Sequence, residues 1–269
     1  EVQYGISTPW PELDKLTYGI RKKEVWGIGG GTGTGKTTIA HELMAHVGKA
    51  HGWRSLGILM EETGADSLRN LAGKVDCIPY NTPGMKYDKE KFKNTVMDLS
   101  KHIVLWNHDE ISDPHSTWNG IKQTIRTYGA EVDMVEIDNM TALSEGLSMS
   151  DKNDFIGLVA KECVDLATKF DLCIVIFSHL NAPDKNSRSH ENGGKVHESQ
   201  FTGSRALQRY CHMMFGFERN KQAIDPNCSI IRLLKNRKYG KTGHIKTYYD
   251  ADTSRLTQRN WEDDLYKDA

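Results

Sequence analysis

Short apolar runs alternate with segments of helical periodicity along this chain of 269 residues. Eight apolar runs are predicted strands: Glu24–Ile28, Leu56–Met60, Ile103–Trp106, Met134–Ile137, Leu172–Phe177, Met213–Phe217, Ile230–Leu234 and His244–Tyr249. Four segments with apolar residues on one face are predicted helices: Lys36–Lys49, Lys89–Leu99, Ser116–Tyr128 and Phe155–Phe170. The alternation predicts an α/β fold, with a mainly parallel twisted sheet and helices on both faces. The last three strands follow each other closely, which predicts an antiparallel edge.

One long polar segment, Asn181–Gly203, interrupts this pattern. It is built mainly from Asn, Ser, His, Gly and Lys. A loop of this length is rare in a compact domain unless it has a function or is disordered. Both alternatives stay open at this point.

The composition is that of an ordinary globular protein, and the formal net charge is −1. A near-neutral chain has no global field that would draw it to nucleic acid, so such binding would need local patches. No apolar stretch is long enough to cross a membrane, and no leader is recognisable. Because the first residue is Glu1, we expect a fragment or processed form. The five scattered cysteines indicate neither a zinc site nor a disulfide framework, and a reducing, cytoplasmic location fits best.

A phosphate-binding loop follows the first predicted strand. Its residues match the pattern G-x-x-x-x-G-K-[ST]: Gly30, Gly31, Thr32, Gly33, Thr34, Gly35, Lys36 and Thr37, with Thr38 next. Glycines let backbone N–H groups turn towards phosphate oxygens, and the following helix adds its positive N-terminal end. The lysine reaches the outer phosphates, and the threonine hydroxyl ligates Mg²⁺. We therefore expect ATP, or another NTP or dNTP, bound with Mg²⁺.

Carboxylates follow two other predicted strands. Asp138 is suited to hold the Mg²⁺ shell, with a strand-end turn residue as the alternative. Glu61 and Glu62 follow another strand, and either could orient the attacking water or belong to a solvated turn. Glu136 lies within a strand that should be apolar throughout, and the sequence offers no explanation for it.

His179 and Arg237 are candidates that spacing alone does not decide. His179 closes an apolar strand and could sense the terminal phosphate, although a strand-end histidine is more often structural. Arg237 lies in a basic cluster that is either a solvated face or an arginine finger reaching a neighbouring subunit.

Taken together, these motifs resemble the hexameric RecA-fold replicative helicases. The chain is similar to the DnaB type, and closer to phage primase–helicases and the mitochondrial helicase Twinkle, from about Thr8 to Leu256. The resemblance is carried by the phosphate loop and by these segments: Thr8–Ile20, Leu59–Thr63, Phe177–Asn181, Phe201–Leu207, Phe217–Asn220 and the Lys235/Arg237 pair.

The resemblance implies a role for each matching residue. Glu61 would be the catalytic glutamate and His179 the phosphate sensor. Lys235 and Arg237 would act in trans on the triphosphate of a neighbouring subunit. The resemblance also implies that Arg219 and Tyr249 hold the base, and that Gly203, Ser204 and Arg205 contact DNA.

Three departures from the family pattern stand out. Glu136 interrupts a strand that is normally apolar, Arg205 replaces a usual glycine, and Gln208-Arg209 reverses the order typical of the phage branch. The last departure falls where the resemblance would place the residue that couples DNA to nucleotide.

The sequence thus predicts a linker segment over residues 1–23 and a RecA-like helicase NTPase domain over 24–269. We expect an NTP-driven helicase that translocates on single-stranded DNA, unwinds forked DNA and forms a homo-oligomeric ring, which the resemblance implies is a hexamer. The polar segment would face the channel and grip DNA through Lys185, Arg188 and Lys195. A primase domain or a replisome polymerase is a possible partner, and a membrane is not. Two alternatives stay open: a RecA-like strand-exchange ATPase and a non-catalytic, nucleotide-switched clamp.

Overall fold

A computed structural model of the chain describes residues 4–106, 113–183 and 187–262. Within these ranges one sheet contains all nine strands: β1 Val25–Gly30, β2 Ser55–Leu59, β3 Ile103–Leu105, β4 Met134–Asp138, β5 Cys173–His179, β6 Met213–Arg219, β7 Cys228–Asn236, β8 Gly243–Asp250 and β9 Arg255–Gln258. Their order is β3-β2-β4-β5-β1-β6-β7-β8-β9. The first six positions in that order pair in parallel, and β7, β8 and β9 add antiparallel neighbours. The antiparallel edge predicted from the sequence is confirmed.

The described ranges contain seven α-helices, of which the first precedes β1 and the others lie between strands: α1 Pro11–Thr17, α2 Lys36–His51, α3 Gly64–Asp76, α4 Lys89–Leu99, α5 Pro114–Tyr128, α6 Met149–Phe170 and α7 Ser204–Tyr210. Short 3₁₀ helices lie at Ala142–Ser144 and Glu198–Gln200. Helix starts follow from local chemistry, since the side chains of Thr63, Asp88, Asp113 and Ser148 accept hydrogen bonds from first-turn N–H groups.

The sheet separates two hydrophobic cores, because successive side chains of a strand point to opposite faces. On β1, Val25 packs in the core with α5 and α6, whereas Trp26 packs in the core with α1 and α2. Both cores contain aliphatic side chains that are almost completely buried. Helices therefore cover both faces of the sheet, which confirms the α/β architecture expected from the apolar runs.

The eight predicted strands and four predicted helices are all present, with bounds shifted by a few residues. The pattern missed α1, α3, α7 and β9, which are short or mainly polar. Trp10, Leu13 and Ile20 lie in the same core as α2, so the segment before β1 packs into the body of the domain. None of the described helices is long and apolar enough to span a bilayer.

The polar segment after β5 has a defined backbone in its described part. Val196 is fully buried, and its N–H donates to Glu218 Oε1 at 2.9 Å. A 3₁₀ helix at Glu198–Gln200 and a bridge between Leu180 and Phe201 complete the return to α7. Residues 187–203 therefore pack against the sheet. Lys185 lies outside the described residues.

Candidate nucleotide and nucleic-acid sites

The phosphate loop connects the end of β1 to the start of α2, at the edge where the parallel strands end. Gly33 and Gly35 have φ values of 66° and 114°, a conformation that residues with a Cβ rarely adopt. A Cβ on Gly31 would lie 2.9 Å from the His190 Cβ. The glycines thus permit the turn and the close approach that a backbone cradle for phosphate requires.

Lys36 extends beneath this loop and is 5% exposed. Its Nζ donates to the carbonyl oxygens of Gly30 and Gly31 at 3.2 and 3.0 Å, and to His179 Nδ1 at 3.0 Å. Burial lowers the pKa of the Lys36 ammonium, whereas the carboxylates of Asp138 and Glu61 act in the opposite direction. The ammonium is therefore surrounded by acceptors that a triphosphate could replace.

Thr37 and Asp138 form a pair suited to a divalent cation. The Thr37 hydroxyl donates to Asp138 Oδ2 at 2.5 Å. Asp138 is 1% exposed, and its Oδ1 has no hydrogen-bond partner among the described residues. Burial raises the pKa of Asp138, and the Thr37 hydroxyl and the Lys36 charge partly offset this. A buried carboxylate oxygen without a donor, beside a hydroxyl and a phosphate cradle, fits Mg²⁺, which prefers oxygen ligands.

A second cluster joins the ends of β2, β4 and β5. His179 Nε2 lies 3.1 Å from Glu61 Oε1, and Asn139 Nδ2 also donates to that carboxylate oxygen. Because Lys36 donates to His179 Nδ1, the proton of a neutral imidazole belongs on Nε2, from which it points at Glu61. The structure thus brings Lys36, His179 and Glu61 into one hydrogen-bonded chain.

Asn139 was missed by the sequence reasoning. It is fully buried, and its Oδ1 accepts a hydrogen bond from the Ala142 N–H at 2.8 Å, which orients the amide. Its Nδ2 also lies 3.0 Å from His179 Nε2. The only signal in the sequence was its place directly after Asp138 at a strand end.

Glu61 and Glu62 have different surroundings, although the sequence made both of them candidates for the same role. Glu62 accepts hydrogen bonds from Ser67 Oγ at 2.9 Å and Asn70 Nδ2 at 3.2 Å, and it lies 3.2 Å from His41 Nε2. Burial raises the pKa of Glu62, but these contacts outweigh burial and lower it overall. Glu62 is thus held by α2 and α3, and Glu61 is the carboxylate that faces His179.

Glu136 is the acidic residue that interrupts the apolar run of β4. It is fully buried, and neither carboxylate oxygen has a hydrogen-bond partner among the described residues. Burial, with a smaller contribution from Asp138, holds its pKa well above the usual value. No described residue donates a hydrogen bond to the Glu136 carboxyl group, and burial favours its neutral form.

Arg219 and Tyr249, the residues expected to hold the base, lie on β6 and β8. Arg219 Nη1 is 3.9 Å from the position that a Cβ of Gly35 would occupy, and its Nε donates to the Pro226 carbonyl at 2.6 Å. Burial lowers the pKa of Arg219, and the nearby Tyr249 acts in the opposite direction. Lys74 Nζ lies 5.4 Å from the centroid of the Tyr249 ring. Arg219 is thus beside the C-terminal end of the phosphate loop.

Lys235 and Arg237 contact the C-terminal end of α7. Lys235 Nζ donates to the carbonyl oxygens of Gln208 and Cys211, the latter at 3.2 Å, and Arg237 Nη2 donates to that of Arg209. Such cations stabilise the last carbonyls of a helix. Burial lowers the pKa of Lys235, and the neighbouring Arg237 charge acts in the same direction.

The residues expected to contact DNA lie at the other end of α7 and in the polar segment. The Gly203 N–H donates to Asn153 Oδ1 at 3.1 Å, and Ser204 begins α7. Arg205 lines a polar cleft of about 620 Å³ together with Asp154 and Arg209. In the polar segment the side chains of Arg188 and Lys195 are exposed. The described cations are therefore accessible, as a phosphate-binding role requires.

Comparison with known proteins decides the family. The model of the DnaB-like helicase C-terminal domain matches residues 5–258. The chain belongs to this family. It is also 24% identical, over 241 residues, to a DNA helicase/primase of Enterobacteria phage T3, an alignment that covers 86% of this chain and 41% of that protein. The chain therefore spans less than half of that relative's length.

Solved structures agree with this fold. A solved ATPase domain superposes with a TM-score of 0.75 at 17% identity, covering 95% of this chain and 92% of that one. A DnaB-like replicative helicase gives a TM-score of 0.74 at 16% identity, covering 97% and 63%. The RecA-like fold and the resemblance to DnaB-type helicases are thus confirmed for this domain. The roles assigned to individual site residues stay predictions.

Proposed function

We propose that this domain hydrolyses a nucleoside triphosphate and uses the energy to translocate on single-stranded DNA and unwind a duplex. The observation that carries the proposal is the meeting of Lys36, Thr37, Asp138, Glu61 and His179 at one edge of the sheet. Phosphoryl transfer relies mainly on positioning and electrostatic stabilisation, and this cluster provides both.

Each side chain has a distinct part in this proposal. Lys36 exchanges its carbonyl partners for the outer phosphates, and Thr37 and Asp138 would hold Mg²⁺. The ion, when bound, neutralises charge on the phosphate oxygens. Glu61 orients the attacking water and accepts its proton, while Asn139 and His179 fix the direction of the carboxylate. His179 contacts both Lys36 and Glu61, so a change at the terminal phosphate would reach the catalytic carboxylate through one side chain.

We further propose that the site is completed by a neighbouring copy of the chain in a ring. Lys235 and Arg237 would leave the carbonyls of α7 and contact the neighbour's triphosphate, since a phosphate is a stronger acceptor for Arg than a neutral carbonyl. Head-to-tail contacts that close produce such rings. Arg219 and Tyr249 would contact the base, and Arg205, Arg188 and Lys195 would face DNA phosphates.

A DNA-stimulated NTPase assay on a forked substrate tests the proposal. We expect turnover that rises with single-stranded DNA, strand displacement, and rings in negative-stain images. Hydrolysis at background level with DNA present would indicate a nucleotide-switched clamp instead. Turnover without strand displacement, together with open filaments, would indicate a strand-exchange ATPase.

A further inference from the structure

One carboxylate of the polar segment lies on the phosphate loop itself. Glu191 Oε1 accepts a hydrogen bond from the Thr32 N–H at 3.3 Å. The same oxygen is 3.1 Å from the position that a Cβ of Gly31 would occupy. A negatively charged oxygen at a backbone N–H of this loop has the chemistry of a phosphate oxygen.

Hydrogen bonds of the surrounding segment hold this contact in place. We call residues 187–196 the strap. The Lys221 N–H donates to the Glu191 carbonyl at 3.3 Å, and Lys221 Nζ donates to the Thr32 carbonyl at the same distance. A backbone bridge joins Asn192 to Asn220. The strap is thus fixed to the residues that follow β6, on one side of the loop.

His190 anchors the strap from within. It is 3% exposed, and its Nε2 donates to the Asn181 carbonyl at 3.2 Å. Its Nδ1 is buried without a hydrogen-bond partner among the described residues, and its Cβ lies 2.9 Å from the Cβ position of Gly31. An unsatisfied buried nitrogen costs free energy, and this cost makes the observed packing of the strap less stable. A second position of the strap is therefore easier to reach.

The charge of Glu191 also reaches the phosphate-binding lysine. It acts on Lys36 together with the carboxylates of Asp138 and Glu61. A triphosphate brings further negative charge to the same lysine. The outer phosphate and the Glu191 carboxylate carry like charges and repel each other. They would therefore compete for the Thr32 N–H and for the charge of Lys36.

We propose that Glu191 occupies the outer-phosphate side of the loop as an internal competitor, so that a triphosphate binds fully only when the strap withdraws. This proposal rests on the proposed nucleotide site and adds a regulator to it. The strap would then report the occupancy of the loop to the polar segment that carries Arg188 and Lys195.

The test uses Glu191→Gln, which keeps the shape and an amide oxygen for the Thr32 N–H but removes the charge. We expect the Kd of a non-hydrolysable triphosphate, measured by fluorescence anisotropy with Mg²⁺, to fall by about tenfold. The Kd of the diphosphate should fall less. Equal or weaker triphosphate binding by the variant would overturn the proposal, and so would an equal gain for both nucleotides.

A matched control removes the same charge elsewhere. Glu131 is exposed, pairs with Arg54 at 2.9 Å and precedes β4, at the opposite edge of the sheet. Glu131→Gln should leave both Kd values unchanged. If it tightens binding as much as Glu191→Gln does, the effect is one of net charge and the proposed competition is wrong.

Hydrogen exchange of the wild-type chain tests the movement directly. Amides of residues 189–194 should exchange faster when the triphosphate analogue is bound, because the strap has left the loop. Unchanged or slower exchange there would overturn the displacement. Lys36→Ala separates the two proposals: unaltered nucleotide binding by that variant would mean that the phosphate site itself is wrong, whatever Glu191 does.

Discussion

Two regions of this domain differ in whether their charged side chains find charged or imidazole partners within one chain. We call them the nucleotide end, around the phosphate loop, and the α7 end, around Lys235 and Arg237. At the nucleotide end, Lys36, His179 and Glu61 contact one another directly. At the α7 end, the side chains of Lys235 and Arg237 donate hydrogen bonds only to carbonyl oxygens at the end of α7, among the described residues. Neutral carbonyls are modest partners for two cations. The difference indicates that one end is organised by the fold of a single chain, and it supports the proposal that the other end is completed by an anion from a second subunit.

The largest effect on turnover should come from a substitution at the nucleotide end. Lys36→Ala removes the side chain that contacts both the loop carbonyls and His179, so nucleotide binding and turnover should both be lost, with turnover falling by about 10⁴-fold or more. Phosphate release measures turnover. Lys49→Ala, at the other end of the same helix, is the control and should be near wild type. Substantial turnover by Lys36→Ala would remove the basis of the site.

Arg237→Ala should separate the two ends. We expect turnover to fall by about 10³-fold, the usual loss for an arginine finger, while the Kd for nucleotide stays within about twofold. The neighbouring Lys238 is also exposed and contacts the ring of Tyr239, so Lys238→Ala controls for the loss of a surface cation. Intact turnover in Arg237→Ala would show that the cation merely caps α7.

A smaller effect is expected for Asn139, which positions Glu61 without being placed on the reacting atoms. Asn139→Ala should lower kcat by about tenfold and leave KM for the nucleotide nearly unchanged. Steady-state kinetics at saturating DNA measures both. A rise in KM without loss of kcat would contradict the positioning role. The melting temperature of the variant tells whether a fall in kcat reflects unfolding instead.

The smallest effect concerns stability rather than chemistry. Glu136→Met replaces a buried carboxyl group, which has no hydrogen-bond partner among the described residues, with an apolar group of similar length. The free energy of unfolding should therefore rise by about 1–2 kcal/mol, measured by urea denaturation. Glu136→Gln keeps the polar atoms and should not give this gain. If Glu136→Met destabilises the domain, the carboxyl group has a partner or function that its contacts do not reveal.

Much of the fold could be predicted because buried parallel strands are apolar runs, and the helices against them carry one apolar face. α3 was missed because Leu71 is the one large apolar side chain among its buried residues, the others being Ser67, Ala72, Gly73 and Lys74. β9 is only four residues long, and Leu256 alone is buried there. Local periodicity could not reveal elements whose stability comes mainly from their neighbours.

The phosphate loop and Asp138 were predictable because their chemistry depends on local spacing. The contacts of Asn139 and Glu191 were not, since they depend on which strands and loops become neighbours. Glu191 meets Thr32 across 159 positions of the chain, through a strap that folds back over the loop. Sequence distance carries no information about such a contact.

Mixing two inactive variants tests the central claim most directly, namely that each site is shared between subunits. Lys36→Ala chains retain Arg237, and Arg237→Ala chains retain the nucleotide cluster. In a random equimolar ring, about a quarter of the interfaces would combine both intact halves. We predict that NTP turnover returns on mixing, towards that fraction of the wild-type rate. A mixture that exchanges subunits yet stays as inactive as either variant alone would contradict the shared site.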